Sequence, residues 1–475
     1  MFGFFPKYWK IARKSVCLLV VSSRSPESLT DFVTRRRNLT CGWSGIQYIG
    51  PEADLKRRPD QAPSGEIVVV TDDRADIADL QRMVEPLECG RADAVLSLWN
   101  GGPGANRLSP LPLWNRLINE FAGCPELESA SFMHVPFALT RDAWRTAGGL
   151  RMLMHPAEAH VRLIQSTLRI LVHESSGSPS SSLPNALIAE RLEAFLSLQP
   201  PPRGRWTDGE RRRDLVERLN QGTLLLPPFH RGADFSPQAE GGARKTLSVI
   251  IPVRNEEATI GEVIREARKL APSEILVVVN GSSDRTESIA REQGAGTIVF
   301  QEPLGTDVGR AIGAYAAQGE LLLFLDGDFV IPGDELRPFT ELVSTRCDLA
   351  VNRLNHHLQL RYPPGTVTAL KYALNTALGR EELENASMVS VPFAMNRRAL
   401  EVIHWSQLLC PPKAYALGLL GGLRRLPANR IEVDRMNRYR PWKHASAGER
   451  FSPAAMQIIG DHIEALHVIK DRKGE

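Results

Sequence analysis

The chain has 475 residues, more than one ordinary domain holds, and its 43% hydrophobic content is enough for real cores. Its 58 basic and 55 acidic residues leave a net charge of +3, too small an excess for a bulk nucleic-acid binder. No apolar run approaches about 18 residues, so nothing is expected to span a membrane.

The opening stretch, MFGFFPKYWKIARK, lacks the apolar run and small-residue cleavage site of a signal peptide. It sets aromatics beside cations, the mixture an interfacial anchor uses, so a tail over 1–14 suits peripheral membrane contact; a disordered or core-packed tail is the plainer alternative. The six cysteines show no CxxC spacing, which argues for a reducing, cytoplasmic setting and against a zinc site.

The chain repeats itself. ESASFMHVPFALTRDA (128–143) and ENASMVSVPFAMNRRA (384–399) share nine of sixteen residues, where unrelated segments would share about one. The match extends upstream, with NEFAG at 119–123 facing NTALG at 375–379. EIVVVTDD at 66–73 faces ELLLFLDG at 320–327 with nearly the same offset. The expectation is a tandem duplication, with domains over 15–197 and 246–475. Between them, 198–245 is rich in Pro, Gly and charge and reads as a linker carrying one helix around 208–219.

In the second half the elements in chain order are a strand at 247–252, a helix at 257–270 and a strand at 274–279. The turn Asn280-Gly281-Ser282-Ser283-Asp284 follows, then a helix at 285–293, a short strand at 297–300, a helix at 307–318 and a strand at 320–325. Short apolar strands alternating with amphipathic helices predict a parallel α/β sheet covered on both faces. Such sheets bind ligands at the carboxyl ends of their strands. The polar residues gather there: Arg254, Asn255, Glu256 and Glu257 after the first strand, Asn280 to Asp284 after the second, Asp326 and Asp328 after the fourth. No GxGxxG follows the first strand, which disfavours a dinucleotide fold.

VIIPVRNEEATI, VVVNGSSDRT and GRAIGAYAAQGELLLFLDGDFVIP, in that order and spacing, resemble an inverting-type family-2 glycosyltransferase of the GT-A fold, over roughly 246–400. The resemblance implies two GT-A-like, Rossmann-like domains in tandem, the second transferring a hexose from a nucleotide-sugar donor. It implies Mg²⁺ or Mn²⁺ on Asp326 and Asp328, since a departing diphosphate needs a hard cation with oxygen ligands. Pro252, Arg254, Asn255 and Glu257 would line the donor site, with Asn280 and Asp284 at the base and Arg310 ahead of the metal strand. Asn280 stands where many relatives carry Asp, which leaves the base open. Apart from the resemblance, Asn280 and Asp284 would serve as helix caps, and Arg310 as a surface ion-pair former.

Further along, Arg435, Arg438 and Arg440 follow a strand expected at 430–434 and suit phosphate oxygens, or else a solvated basic face. His462, late in the chain, would complete the metal shell; an exposed helical histidine is the alternative. The His356-His357 pair reads as surface.

The family's acidic acceptor-activating pair is missing: 408–418 reads LLCPPKAYALG, with Lys413 and no carboxylate. Either the acceptor is already anionic, a phosphate or carboxylate bound by Lys413, or transfer retains configuration; a lipid-linked acceptor would make the N-terminal anchor useful. Glu384 is the obvious substitute base, but Glu128 matches it in the first half, which favours a role in the shared fold.

In the first half the Asn-Glu-Glu turn is lost, about one strand-helix unit is absent, Arg74 stands where Asp328 does and Arg191 where His462 does; Asp72 and Asp73 remain. That half reads as a degenerate copy kept for packing, acceptor binding or assembly. A protein of two degenerate domains, a nucleotide-sugar-binding or scaffold protein without catalysis, is the alternative of a different class; the intact Asp326-Gly327-Asp328 loop opposes it.

Overall fold

Strands form where the apolar runs predict them, and the two halves lay them out in the same order. The computed structural model describes residues 14–21, 43–49, 65–71, 75–98, 109–174, 188–235, 245–360, 363–437, 440–446 and 448–474. Residues 1–13, Asp72, Asp73, Arg74 and Arg438, named above, lie outside them. The chain divides into Met1–Leu198 and Gln199–Glu475. Among the described residues no helix is long and apolar enough to cross a membrane.

In the first unit the strands are β1 (Val16–Val21), β2 (Trp43–Ile49), β3 (Ile67–Thr71), β4 (Ala94–Leu98), β5 (Phe137–Thr140) and β6 (Ile170–Glu174). They lie in the order β2-β1-β3-β5-β4-β6, and β5 alone runs antiparallel to its neighbours. Ile67, Val69, Val95, Leu96, Phe132 and Phe137 fill the core, each excluded from water.

In the second unit the strands are β7 (Leu247–Val253), β8 (Glu274–Asn280), β9 (Gly296–Phe300), β10 (Leu321–Phe324), β11 (Leu349–Val351), β12 (Phe393–Asn396) and β13 (Arg425–Pro427). Their order is β13-β11-β12-β10-β7-β8-β9, again with only β12 antiparallel to its neighbours. Dropping β9 and matching the rest in sequence reproduces the first sheet strand for strand. The register agrees too: Ile67 pairs with Thr140 across β3 and β5, and Leu321 with Asn396 across β10 and β12. The helix Thr286–Glu292 and β9 have no counterpart among the described residues of the first unit, where the sequence comparison finds the chain short.

The matched blocks also share a local geometry. Glu128 and Glu384 each end a short 3-10 turn with positive φ, 48° and 46°. The buried side-chain amide of Asn119 donates to the carbonyls of Glu128 and Ala130 (both 2.9 Å). Asn375 does the same to Glu384 (2.8 Å) and Ala386 (3.0 Å). The element built around Glu384 is thus a turn held by its own backbone.

Two glycines set how closely the layers meet around the site. A Cβ at Gly313, on the helix Val308–Ala316, would sit 2.3 Å from Ile250 Cγ2, so the helix carrying Arg310 lies directly on β7. A Cβ at Gly327 would sit 2.4 Å from Val253 Cγ1, which fixes the residue between Asp326 and Asp328 as small.

Two expectations change. The strand expected at 430–434 is not formed. The edge strand lies earlier, at β13, and the Ile431 backbone is satisfied instead by the Asn352 side chain (2.9 Å in each direction) ahead of the short helix Val433–Met436. The segment expected as a linker is, over 199–235, part of the second unit. It carries the helix Arg213–Asn220 and buries Trp206, Arg203 and Arg211. It also pairs His230 with Thr297 of β9 through two backbone hydrogen bonds (3.1 and 2.9 Å). Its arginines meet buried carboxylates, and that holds it in place.

Candidate functional site

Asp326 and Asp328 leave the carboxyl end of β10, where a parallel sheet opens to ligands. The Asp326 side chain is 33% exposed and that of Asp328 11%. Each is held by an arginine from another element. Arg310 donates from Nη2 to Asp326 Oδ1 at 2.9 Å, and its Nη1 lies 2.7 Å from Asp307 Oδ1. Burial would favour losing the Arg310 proton, but the Asp307 and Asp326 carboxylates outweigh it and hold the charge. Arg440 lies with Nη1 3.2 Å from Asp328 Oδ2, and its other Nη donates to Glu256, a buried acid after β7. Thr259 Oγ1 donates to the Gly327 carbonyl at 2.6 Å and ties this loop to the first one.

The loops after β7 and β8 are stitched together by the residues expected to meet the donor. Asn255, at φ 58°, donates its backbone N–H to Ser282 Oγ (3.1 Å) and accepts from the Ser283 N–H at Oδ1 (2.8 Å). Glu257 N–H donates to Asp284 Oδ2 and Arg285 N–H to Glu257 Oε2, both at 3.1 Å. Burial works to raise the Asp284 pKa, yet hydrogen bonds from Thr286 and from the Glu257 backbone bring it below the ordinary carboxylate value. Asn280 donates to the Gly305 carbonyl (3.1 Å) and accepts from the Leu304 N–H, which braces the loop ahead of Arg310. Pro252 packs against Gly309, and Arg254 is exposed at the loop edge. The loop residues therefore hold one another in place at the carboxyl end of the sheet.

Three expected site residues sit elsewhere. His462 is fully buried on the helix Pro453–Gly474. Its Nδ1 must carry the proton, because it donates to the Ile458 carbonyl at 2.7 Å. Among the described residues no group of three or more His, Cys, Asp and Glu is arranged to hold a metal, so His462 does not join the two aspartates as a third ligand. Lys413 does not stand free for an acceptor: its ammonium lies 3.1 Å from Glu464 Oε1, which Arg213 also engages. Arg435 is 83% exposed and pairs with Glu432 at 2.8 Å.

Burial, with the Lys371 charge adding to it, pushes the His462 pKa down to about 4 from an ordinary 6.5. The folded chain therefore refuses a proton that the unfolded chain accepts between pH 6.5 and 4, and stability falls as pH drops through that window. The full difference is about 3 kcal/mol. His462→Asn, which keeps a donor for Ile458, is expected to flatten that dependence; urea melts at pH 7 and pH 4.5 on both proteins measure it. An unchanged pH dependence would remove His462 as the cause.

The sequence reading gave Glu256 no role beyond its turn and passed over Asp307 and Arg211. Asp307 sits three residues before Arg310, the spacing of an ion pair over one helical turn, and that signal was available. Arg211 has a local partner in Asp208 at 3.1 Å, but its pairing with Asp307 spans almost a hundred residues of sequence.

A mostly parallel α/β sheet takes ligands at the carboxyl ends of its strands, and the paired acids stand at such an end. Residues 248–403 match the family model described as glycosyl transferase family 2. The dolichyl-phosphate hexose transferase of Haloferax volcanii is 33% identical over 104 residues, 22% of this chain and 45% of that protein. The glucosyl-3-phosphoglycerate synthase of Mycobacterium tuberculosis is 33% identical over 131 residues, 25% of this chain and 40% of that one. The 4,4'-diaponeurosporenoate glycosyltransferase of Staphylococcus haemolyticus is 32% identical over 101 residues, 20% of this chain and 27% of that one. The chain thus spans less than half the length of these curated relatives. A crystal structure of the M. tuberculosis synthase with Mn²⁺, UDP and glucosyl-3-phosphoglycerate aligns at 23% identity and a TM-score of 0.33, over 42% of this chain and 73% of that one.

Proposed function

We propose that the second unit is a GT-A glycosyltransferase that moves a hexose from a nucleotide diphosphate to an acceptor. The observation that carries this is Asp326 and Asp328, each braced by an arginine, at the end of β10 inside the matched family domain. Two hard carboxylates on one loop fit Mg²⁺ or Mn²⁺, which binds through one or two carboxylates and leaves its other positions to water and phosphate oxygens. A cation bound there would neutralise charge on the departing diphosphate. Around it the chain's own groups do the rest: Arg310 orients Asp326, and Arg440, already beside Asp328, is placed to turn toward a diphosphate oxygen.

The acceptor proposed is anionic. The 408–418 stretch supplies no carboxylate, and an oxygen that is already charged needs no general base. Two relatives, a dolichyl-phosphate hexose transferase and a phosphoglycerate glucosyltransferase, carry names of that kind. The first unit is proposed to be a duplicated GT-A-like domain without catalysis, which its matching strand order supports. Its role, and a cytoplasmic protein touching membranes through its tail, remain part of the proposal.

The test is a panel of UDP-, GDP- and dTDP-sugars with Mn²⁺, read as thermal shift and as nucleotide diphosphate released with and without a polyprenyl phosphate or phosphoglycerate. One donor is expected to stabilise the protein and to turn over faster with an anionic acceptor. Binding without turnover for every acceptor, or no binding at all, would favour the scaffold reading.

A further inference from the structure

A row of buried charges of alternating sign runs from the C-terminal helix to the candidate metal loop. Asp461 accepts from Arg211 at both oxygens, 2.6 Å from Nη1 and 2.7 Å from Nη2. Arg211 Nη2 also donates to Asp307 Oδ2 at 2.9 Å. The other oxygen of Asp307 lies 2.7 Å from Arg310 Nη1, and Arg310 Nη2 reaches Asp326 at 2.9 Å. Side-chain exposures are 3% for Asp461, 1% for Arg211, 9% for Asp307, 7% for Arg310 and 33% for Asp326. Only the last member faces solvent.

We propose that Asp307 and Arg211 are positioning residues that set the charge Asp326 offers to a divalent cation, acting through Arg310. This rests on the reading of Asp326 as the cation's carboxylate. Arg310 is shared between two acids, so its charge is largely answered by Asp307 before it reaches Asp326. Arg211 in turn draws on Asp307. In a buried row, water screens these couplings poorly, so a change two links away is felt at the end. The segment that supplies Arg211 is anchored to the same loop: Arg211 Nε donates to the Thr306 carbonyl and the Arg212 N–H to the Leu304 carbonyl, both at 2.9 Å. Residues ahead of the family domain therefore reach its metal loop.

The sign of the effect separates this from a purely structural role. Asp307→Asn removes a negative charge while keeping a residue type tolerated at its φ of 67°. Arg310 then turns wholly onto Asp326 and competes with the cation. Mn²⁺ affinity of the full chain is expected to fall about fivefold or more. Arg211→Met with Asp461→Asn removes one charge of each sign, leaves the net charge of the row unchanged and gives Asp307 entirely to Arg310. Mn²⁺ affinity is expected to hold or rise.

Electron paramagnetic resonance titration with Mn²⁺ alone, at a temperature where each variant is folded by circular dichroism, reads both. Asp326→Ala defines the binding that belongs to this loop. Equal weakening in both variants, or no change in Asp307→Asn, overturns the coupling. Asp326→Ala binding Mn²⁺ like the wild type overturns the underlying reading of Asp326 instead.

Discussion

Asp326→Ala is expected to lower sugar transfer by about a thousandfold or more, with the fold intact. The carboxylate stands at the end of β10, one third exposed, and its orientation is fixed by Arg310 from the tightly packed helix behind it. A cation that neutralises a leaving diphosphate is worth several kcal/mol of barrier, and about 1.4 kcal/mol is a factor of ten. Removing its ligand takes most of that away. Asp328→Ala is expected to act in the same direction, although it also frees Arg440 and so leaves a second cation near the diphosphate. Lys413→Ala should do far less to turnover, because that ammonium is committed to Glu464. Initial rates of nucleotide diphosphate release at saturating Mn²⁺, with circular dichroism on each variant, settle the order. Asp326→Ala with more than a tenth of wild-type turnover would show that the chemistry lies elsewhere.

What the sequence made legible follows from the range over which each force acts. The first four strands of the second unit, β7 to β10, were readable to within a residue or two because a buried parallel strand must be apolar throughout, as in LSVIIPV and EILVVVN. The two aspartates lie where the sequence put them, just beyond the carboxyl end of a buried strand, and their role is part of the proposal. The proposed duplication rests on residue identity, and the matching strand order of the two sheets now stands beside it. The failures have one cause. His462 and Lys413 take their surroundings from the fold: His462 is fully buried, and Lys413 meets Glu464, 51 residues away. A side chain's chemistry was guessed before its hydrogen-bond partners were known. Arg440 could be named as a phosphate binder from DRMNRYRP, but that it bridges Asp328 and Glu256 depends on bringing together residues more than a hundred positions apart. The 198–245 segment misled for the complementary reason: Pro, Gly and charge do mark irregular backbone, but they say nothing about whether it is bound.

That segment gives the second large effect. A chain beginning at Thr246, where the sequence places the domain boundary, is expected not to fold, while one beginning at Gln199 folds. Arg203 donates to Asp461 at 2.5 Å and to Glu464 at 3.4 Å, and Arg213 donates to Glu464 at 2.9 Å. With Arg211 these three arginines meet two carboxylates whose side chains are only 3% and 6% exposed. Starting at Thr246 removes all three and leaves Asp461 and Glu464 buried in the unit, with Lys413 still 3.1 Å from Glu464. Breaking a buried ion pair by deleting one partner costs about 3–5 kcal/mol, because the charge left behind is uncompensated. Two such losses match or exceed the roughly 5–15 kcal/mol by which a domain is stable at all. The shorter chain also loses Trp206 from the core, the His230–Thr297 backbone pair beside β9, and Phe235, which packs 4.5 Å beneath the Arg268 guanidinium. Exposed pairs of the same segment, such as Arg212 with Asp214, add little by comparison. Far-UV circular dichroism and urea melts of the two chains are the measurement. If the chain from Thr246 unfolds cooperatively at the same urea concentration as the chain from Gln199, the buried arginines are ornamental and the segment is a linker after all.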